Sequence, residues 1–302
     1  MKKIIALLMA LLAIAACFAG CSETAEETKA PETQGTEAPE ATEAPEATEA
    51  ADSDLAKIQQ AGKLIVGITD YAPMDYLDEN GEWTGFDAEL AMMFAEELGV
   101  ECEFFVIADW GKKFLELDTK QIDAVWNGMT ITEEALLNAS VSNPYVINAQ
   151  VVVMKADQLA SFPDAESMKD LTFAVENGSA GQDAVAALGA PNTVPVQDQA
   201  AAEEAGVEKI ILVQDQAAAL LEVKTGTSDA CVIDITMANA MTGEGTSYSD
   251  LAYSLALTSE EYGVAFRKES DITAKFNEFM AKCIADGSLQ ALADKYSLTL
   301  AG

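Results

Sequence analysis

From Leu55 to the C-terminus, short apolar runs alternate with amphipathic stretches, and this alternation limits the possible fold more than any other feature. In the first half, strands are predicted over residues 63–69, 100–107, 122–126 and 150–154, and helices over 87–98 and 110–118. Asp87 is predicted to cap the first of these helices, Gly99 to end it, and Thr132 to cap a further short helix. Strand–helix repeats of this kind are typical of an α/β domain.

The cycle restarts after Lys155. Strands are predicted over 171–175, 209–213, 229–234 and 262–267, and helices over 182–188, 216–224, 235–241, 272–285 and 289–295. Two such sets predict two lobes, formed by 55–153 with 260–302 and by 154–259. The chain would cross between the lobes near residues 149–154 and 259–263, and these two crossovers would act as a hinge. A ligand site is expected where the carboxyl ends of the strands face each other.

The N-terminus has the pattern of an exported protein. Lys2 and Lys3 precede an apolar run that ends near Ala16, which is too short to span a bilayer as a helix. A signal peptide is therefore predicted over residues 1–20. Cys21 is predicted to be acylated, with Cys17 as the alternative, so that lipid alone would hold the protein at the outer face of the cell membrane. Residues 21–54 are rich in Glu and lack large apolar side chains, which predicts a disordered acidic linker.

The composition excludes several functions. A formal net charge of -34, with 17 basic residues in 302, excludes binding to nucleic acid phosphates. The absence of histidine removes His-based triads and most zinc sites, so no metal or cofactor is expected. Cys102, Cys231 and Cys283 lack a C-x-x-C spacing and are predicted to be small buried side chains. The chain is expected to be a monomer.

Four sequence blocks resemble the solute-binding proteins of polar amino acid ABC importers. They cover residues 71–74 with 80–87, 122–134, 143–145 and 176–181, and they occur in the order found in that family. The resemblance implies a two-lobed α/β fold of the periplasmic-binding-protein type II, with two hinge crossovers and no enzymatic activity. It also implies a small polar ligand and an ABC importer permease as partners.

The resemblance assigns ligand-binding positions residue by residue. Tyr71 and Trp110 match pocket-wall positions, and Asp234 matches the aspartate that binds the ligand ammonium. The matching polar positions of the two loops are Asn127, Gly128 and Thr130 in the first lobe and Ser179 and Ala180 in the second.

The residues themselves support some of these assignments. The turn from Gly178 to Gly181 opens a helix, where free N–H groups favour an anionic group. Asp234 ends an apolar strand, so its carboxylate needs either a helix cap or a ligand ammonium as partner. Trp126 could lie in the core or, with Trp110 and Tyr71, form one wall of an aromatic cage for a cation.

One position departs from the family pattern. The arginine that binds the ligand carboxylate in the family is replaced here by Ala135, and the only arginine of the chain is Arg267. The ligand could therefore be an amine, an amino acid derivative or a cation, or its carboxylate could rest only on the turn at residues 178–181. The sequence favours a binding protein for uptake, with a sensory lipoprotein or a dehydratase-like enzyme on the same fold as alternatives.

Overall fold

The computed structural model describes residues 53–188 and 210–302. The predicted signal peptide, nearly all of the predicted linker, and both candidate lipidation sites, Cys17 and Cys21, lie outside these residues. Within the described residues, no helix is both long and apolar enough to cross a membrane.

Strands and helices follow one another along the described chain much as the apolar pattern predicts. The strands are β1 Lys63–Ile68, β2 Tyr76–Leu77, β3 Trp83–Thr84, β4 Glu101–Val106, β5 Ala124–Val125, β6 Ser140–Val141, β7 Val146–Asn148, β8 Gln150–Lys155, β9 Phe173–Glu176, β10 Ile210–Val213, β11 Ala230–Asp234, β12 Leu251–Ala256, β13 Glu260–Tyr262 and β14 Ala265–Phe266. The α-helices are α1 Asp54–Ala61, α2 Phe86–Leu98, α3 Lys113–Asp118, α4 Glu133–Asn138, α5 Ala180–Ala187, α6 Gln216–Thr225, α7 Ile235–Met241, α8 Ile272–Asp286 and α9 Ser288–Tyr296.

Two five-stranded sheets organise these elements into two lobes. The first sheet has the order β4-β1-β5-β14-β6, and the second has the order β10-β9-β11-β8-β12. In each sheet the first three strands are parallel, and the fourth runs antiparallel to both of its neighbours. The carboxyl ends of parallel strands share one edge of a sheet, so each lobe presents a row of strand ends and the loops that follow them.

A two-stranded ribbon joins the lobes. Strands β7 and β13 pair antiparallel, with Asn148 opposite Glu260 and Val146 opposite Tyr262. The chain passes from β7 directly into β8, and it returns from β12 through β13 to β14. All of β8 pairs within the second sheet, so the boundary predicted at residue 153 falls inside a second-lobe strand. The sheet topology moves the first crossover to a point before Gln150.

Helix α2 begins one residue earlier than predicted, and its N-cap is Gly85. The prediction that Asp87 caps this helix is wrong. Its side chain is fully buried and accepts hydrogen bonds from the Gly128 N–H (2.6 Å) and the Tyr145 hydroxyl (2.8 Å). Gly99 ends the helix in the left-handed conformation, as predicted. The Asp87 side chain therefore stabilises the loop after β5 instead of capping its own helix.

Other predicted elements differ in extent. The predicted helix over 110–118 is divided into a 3₁₀ turn, Trp110–Lys112, and α3, because the Asp109 side chain caps the turn at the Gly111 N–H. The predicted strand over 262–267 is two strands, β13 and β14, which belong to the ribbon and to the first sheet. Thr132 caps α4 through the Ala135 N–H, as predicted.

Candidate functional site

The strand ends of the two lobes enclose a cavity of about 30 Å³, close to the volume of one water molecule. We refer to it as the interlobe cavity. Eight of the ten predicted ligand-binding residues line it, namely Trp110, Asn127, Gly128, Thr130, Gly178, Ser179, Ala180 and Asp234. The space is small because the two lobes contact each other beside it, through Asn177 with Asp109 and through Lys113 with Gly178.

Tyr71 and Trp126, the other two predicted residues, do not line the interlobe cavity. Trp126 is fully buried in the first lobe, with its ring centroid 4.9 Å from that of Phe276 in α8. The Tyr71 hydroxyl is buried 2.5 Å from the hydroxyls of Thr236 and Tyr262. The aromatic cage of Tyr71, Trp110 and Trp126 is therefore absent from this structure, and only Trp110 faces the cavity.

The first-lobe loop follows β5. Asn127 is held by Thr69, since its side-chain oxygen accepts from the Thr69 N–H (2.8 Å) and its amide donates to the Thr69 hydroxyl (2.7 Å). Gly128 has a φ of 55°, and a Cβ there would lie 2.6 Å from the Tyr71 ring and 3.1 Å from the Tyr262 ring. Only glycine fits this backbone, so the Tyr71 ring restricts position 128 of the loop to glycine even though Tyr71 does not line the cavity.

The second-lobe loop lies against the first lobe. Gly178 has a φ of 70°, and a Cβ there would lie 2.5 Å from the Gly111 Cα. The Asn177 side chain donates to Asp109 (2.8 Å), and the Lys113 ammonium donates to the Gly178 carbonyl (3.0 Å). These contacts hold the two lobes together at one edge of the cavity.

The same loop starts α5. Ser179 is the N-cap, and its hydroxyl accepts from the Gln182 N–H at 3.2 Å. The residues that follow, Ala180 and Gly181, begin the helix, and Ala180 lines the cavity. A positive helix end with short side chains therefore faces the cavity, and in the turn before it the Gly178 N–H is not free but donates to the Gln182 side chain (2.8 Å).

Asp234 occupies the N-cap position of α7 but makes no capping hydrogen bond. Its carboxylate accepts from three side-chain amides, those of Asn148, Gln150 (2.8 Å) and Gln216. Gln216 also accepts from the Asp234 backbone N–H at 2.9 Å. Of the two roles that the sequence left open, the helix cap is therefore excluded, and the carboxylate is held by amides at the cavity wall.

A second carboxylate shares these amides. Glu260, in β13 of the ribbon, accepts from Asn148 (2.7 Å), Gln150 (2.7 Å) and the Thr130 hydroxyl (2.9 Å). Burial, and then the negative charge of Glu260, raises the pKa of Asp234 to about 7. This network connects the first-lobe loop, the ribbon and the second lobe.

Four carboxylates line the interlobe cavity, and sequence reasoning identified only Asp234. Glu134 and Asp183 are exposed at its rim, whereas Glu176 and Asp234 are buried. Burial, and then the negative charges of Asp234 and Asp215, raises the pKa of Glu176 well above its ordinary value. The wall of the cavity is strongly acidic.

Lys113 is the only lysine or arginine among the described lining residues. Its ammonium lies 5.1 Å from the centroid of the Trp110 ring and donates to the Trp110 carbonyl at 3.4 Å. Burial lowers its pKa, although the carboxylates around the cavity act in the opposite direction. Among the residues that the structure describes, no carboxylate forms an ion pair with it. A buried ammonium that has no ion-pair partner can bind an anionic group of a ligand.

The position of the missing arginine does not open into the cavity. Ala135 is buried in an apolar cluster with Trp110, Phe114 and Met129, so an arginine side chain there would first have to enter this cluster. Arg267 forms ion pairs with Asp54 (2.9 Å) and Asp123 (3.0 Å) within the first lobe. The cation that the chain does place in the cavity is Lys113.

Sequence reasoning missed Lys113, Gln150, Glu176 and Gln216 as lining residues. Glu176 ends β9, so the strand-end argument that identified Asp234 would also have found it. Lys113 and Gln216 lie in the first turns of helices and carry no comparable signal. A larger groove of about 590 Å³, beside the ribbon and α7, contains no charged side chain and none of the predicted ligand-binding residues.

Two mixed sheets joined by a short ribbon, with polar strand ends meeting around a cavity, define the class of two-lobed solute-binding proteins. The chain belongs to the bacterial extracellular solute-binding proteins, family 3, whose family model matches residues 64–299.

The similar proteins include binding proteins for several amino acids. The L-cystine-binding protein TcyJ of Escherichia coli (strain K12) is 28% identical over 246 residues, which is 80% of this chain and 85% of TcyJ. The arginine-binding extracellular protein ArtP of Bacillus subtilis (strain 168) is 31% identical over 242 residues, which is 78% of this chain and 86% of ArtP. The crystal structure of the P235GK mutant of ArgBP from T. maritima has a TM-score of 0.68 at 31% identity and covers 80% of this chain and 98% of that chain.

One similar structure is connected with catalysis. The ancestral amino acid-binding protein AncCDT-1, a precursor of cyclohexadienyl dehydratase, has a TM-score of 0.67 at 30% identity and covers 81% of this chain and 99% of that chain. The relatives reported above are named for binding, and the predicted fold and family are confirmed.

Proposed function

We propose that the protein is the extracytoplasmic substrate-binding component of an ABC importer, and that it captures a small polar solute with an ammonium group between its two lobes. The solute would be an amino acid or a derivative of one. Asp234 carries this proposal, because its buried carboxylate lines the interlobe cavity and makes no capping bond. A buried carboxylate held by neutral donors is a strong acceptor for a ligand ammonium.

The surroundings of Asp234 support a positively charged group. The cavity wall carries four carboxylates and a single ammonium. The similar proteins named for arginine, and the one named for cystine, have ligands that carry an amino group. Of the described lining hydroxyls, that of Thr130 donates to the Glu260 carboxylate, and the chain has no histidine that could act as a general base. Binding and release therefore account for this site better than catalysis does.

The importer role also requires a place outside the cytoplasm. The signal peptide over 1–20 and the acylated Cys21 would supply it, with the linker over 21–54 as a tether long enough to let a monomer reach a permease. Loss of solute uptake on deletion of the gene would support an importer, whereas normal uptake would favour a sensory lipoprotein.

The test begins with a thermal-shift screen of the purified protein against amino acids, amines and small peptides, because a ligand bound only by the native state raises the melting temperature. Calorimetry then compares wild type with Asp234→Asn, using the solute that gives the largest shift. Loss of a buried charge-assisted pair typically costs about 2–5 kcal/mol, so binding should weaken by at least about tenfold.

Asp229→Asn provides the matched control, because Asp229 precedes the opposite end of β11 and is exposed. Its affinity should equal that of wild type. If Asp234→Asn also binds with wild-type affinity, Asp234 does not contact the ligand and the proposed ammonium site is wrong.

A further inference from the structure

Glu176 is the last residue of β9, is only 4% exposed and lines the interlobe cavity. In the described part of the chain, its Oε1 atom has no hydrogen-bond partner. An unpaired polar atom costs free energy when it is buried, and an unpaired carboxylate oxygen costs more than a neutral group. A partner that enters the cavity would remove this cost.

Asp234 lies at the end of β11, the parallel neighbour of β9, so the two carboxyl groups stand on adjacent strand ends. The oxygens of Asp234 already accept three amide donors, whereas Oε1 of Glu176 accepts none. Glu176 is thus the buried acid with the larger unused capacity to accept hydrogen bonds from a ligand.

The charges of the lining residues indicate what kind of ligand this is. Glu134, Glu176, Asp183 and Asp234 face one ammonium, that of Lys113. A net-neutral zwitterion has a single ammonium, which the proposed function assigns to Asp234, and it brings no further cation to Glu176. A ligand with an additional ammonium or guanidinium offers that cation to the orphaned oxygen and favours the ionised form of Glu176.

We infer that Glu176 is a ligand-binding residue and that, together with Asp234, it selects a solute with a net positive charge over a net-neutral one. This inference rests on the proposed function. It names the chemical class of the solute, a cationic amino acid or a related polyvalent amine, and it assigns the selectivity to a residue that sequence reasoning missed.

Proton release should accompany the binding of such a solute. The groups that face Glu176 are the carboxylates of Asp234 and Asp215 and the ammonium of Lys113, and Gln216 donates a hydrogen bond that favours the ionised form. Burial is the main reason why the pKa values of Glu176 and Asp234 are raised. The pKa of Asp234 is raised to about 7. A bound cation favours both ionised carboxylates, so the complex holds fewer protons than the free protein near pH 6.5.

Calorimetry with L-arginine and L-citrulline tests the inference, because the two have nearly the same shape and differ in the charge of the side-chain terminus. Wild type should bind arginine at least about tenfold more tightly than citrulline. Glu176→Gln should reduce this ratio by about tenfold. Asp229→Asn removes the same charge at an exposed position outside the cavity lining and should leave the ratio within about threefold of wild type.

Each outcome has a definite meaning. If wild type binds citrulline as tightly as arginine, or if Glu176→Gln keeps the wild-type ratio, the inference about Glu176 is overturned and the proposed function stands. If no amino acid or amine of the screening panel raises the melting temperature, the proposed function fails and the inference fails with it.

A second measurement does not depend on the variant. If circular dichroism shows that Glu176→Gln is unfolded, titration of wild type with arginine at pH 6.5 in two buffers of different ionisation enthalpy replaces it. Asp234 alone can release at most one proton, so release of more than one proton supports the inference, whereas release of one proton or fewer overturns it.

Discussion

Replacing Asp75 by asparagine should stabilise the protein at pH 8 and leave its stability nearly unchanged at pH 5. Asp75 is fully buried, and within residues 53–188 and 210–302 neither of its carboxyl oxygens has a hydrogen-bond partner. Burial, and then the negative charge of Asp87, raises its pKa well above the ordinary value of 3.8. Asp87, which supports Gly128 below the interlobe cavity, has a pKa raised by burial to about 7.

The magnitude follows from proton linkage. A carboxyl that stays protonated in the folded protein but ionises at 3.8 in the unfolded chain costs about 1.4 kcal/mol for each pH unit above 3.8. The cost is on the order of 1–2 kcal/mol at pH 5 and grows until the pH reaches the folded-state pKa of Asp75. Asparagine removes it but leaves an amide without a partner, at about 1–3 kcal/mol. The two effects nearly cancel at pH 5, and the gain in stability increases towards pH 8.

The sign follows from the raised pKa. The folded state binds more protons than the unfolded state between the two pKa values, so the free energy of unfolding of wild type falls as the pH rises through this window. Asp75→Asn should show a smaller fall.

Urea unfolding at pH 5 and pH 8, followed by tryptophan fluorescence, measures both free energies. Asp78→Asn is the control, because hydrogen bonds from Glu82 and Asn80 lower the pKa of Asp78 and keep it ionised at both pH values. Its effect on stability should be the same at pH 5 and pH 8. If the difference between Asp75→Asn and wild type is also the same at both, the buried carboxyl is not protonated in the folded protein and the reasoning is refuted.

Two further predictions concern the ligand carboxylate and the anchor. Lys113→Met removes the only positive charge among the described residues that line the cavity. Calorimetry should therefore show that agmatine, which is arginine without its carboxylate, gains several-fold in affinity relative to arginine. Equal changes for both ligands would mean that Lys113 does not contact a ligand carboxylate. Cys21→Ala should leave the protein unprocessed or release it from membranes, while Cys17→Ala stays anchored; mass spectrometry of the mature N-terminus would contradict this if it showed no acyl group.

The loops around the site could be predicted because their signals are local. Gly178 to Gly181 follows an apolar strand and opens a helix, and Thr132 precedes two acids at a helix start, so the neighbouring residues alone fix the backbone. The ligand role of Asp234 was predicted from the resemblance, because its place at the end of an apolar strand left both a helix cap and a ligand ammonium open as its partner. Glu176 has the same place at the end of an apolar strand, so the same argument applies to it.

The period of the apolar residues and the turns between them determined the two sets of strands and helices and the strand ends that form the site. The family was indicated by the resemblance of four sequence blocks. Tertiary structure decided which aromatic rings face the interlobe cavity. Phe276 in α8, 150 residues further along the chain, packs against Trp126, whereas Trp110 lines the cavity. It also decided the partners of Asp234, because Gln150 lies opposite Asp234 where β8 pairs with β11, and Asn148 comes from the ribbon strand β7. Periodicity tells which face of an element is buried, but the element that covers this face is chosen by contacts between distant parts of the chain.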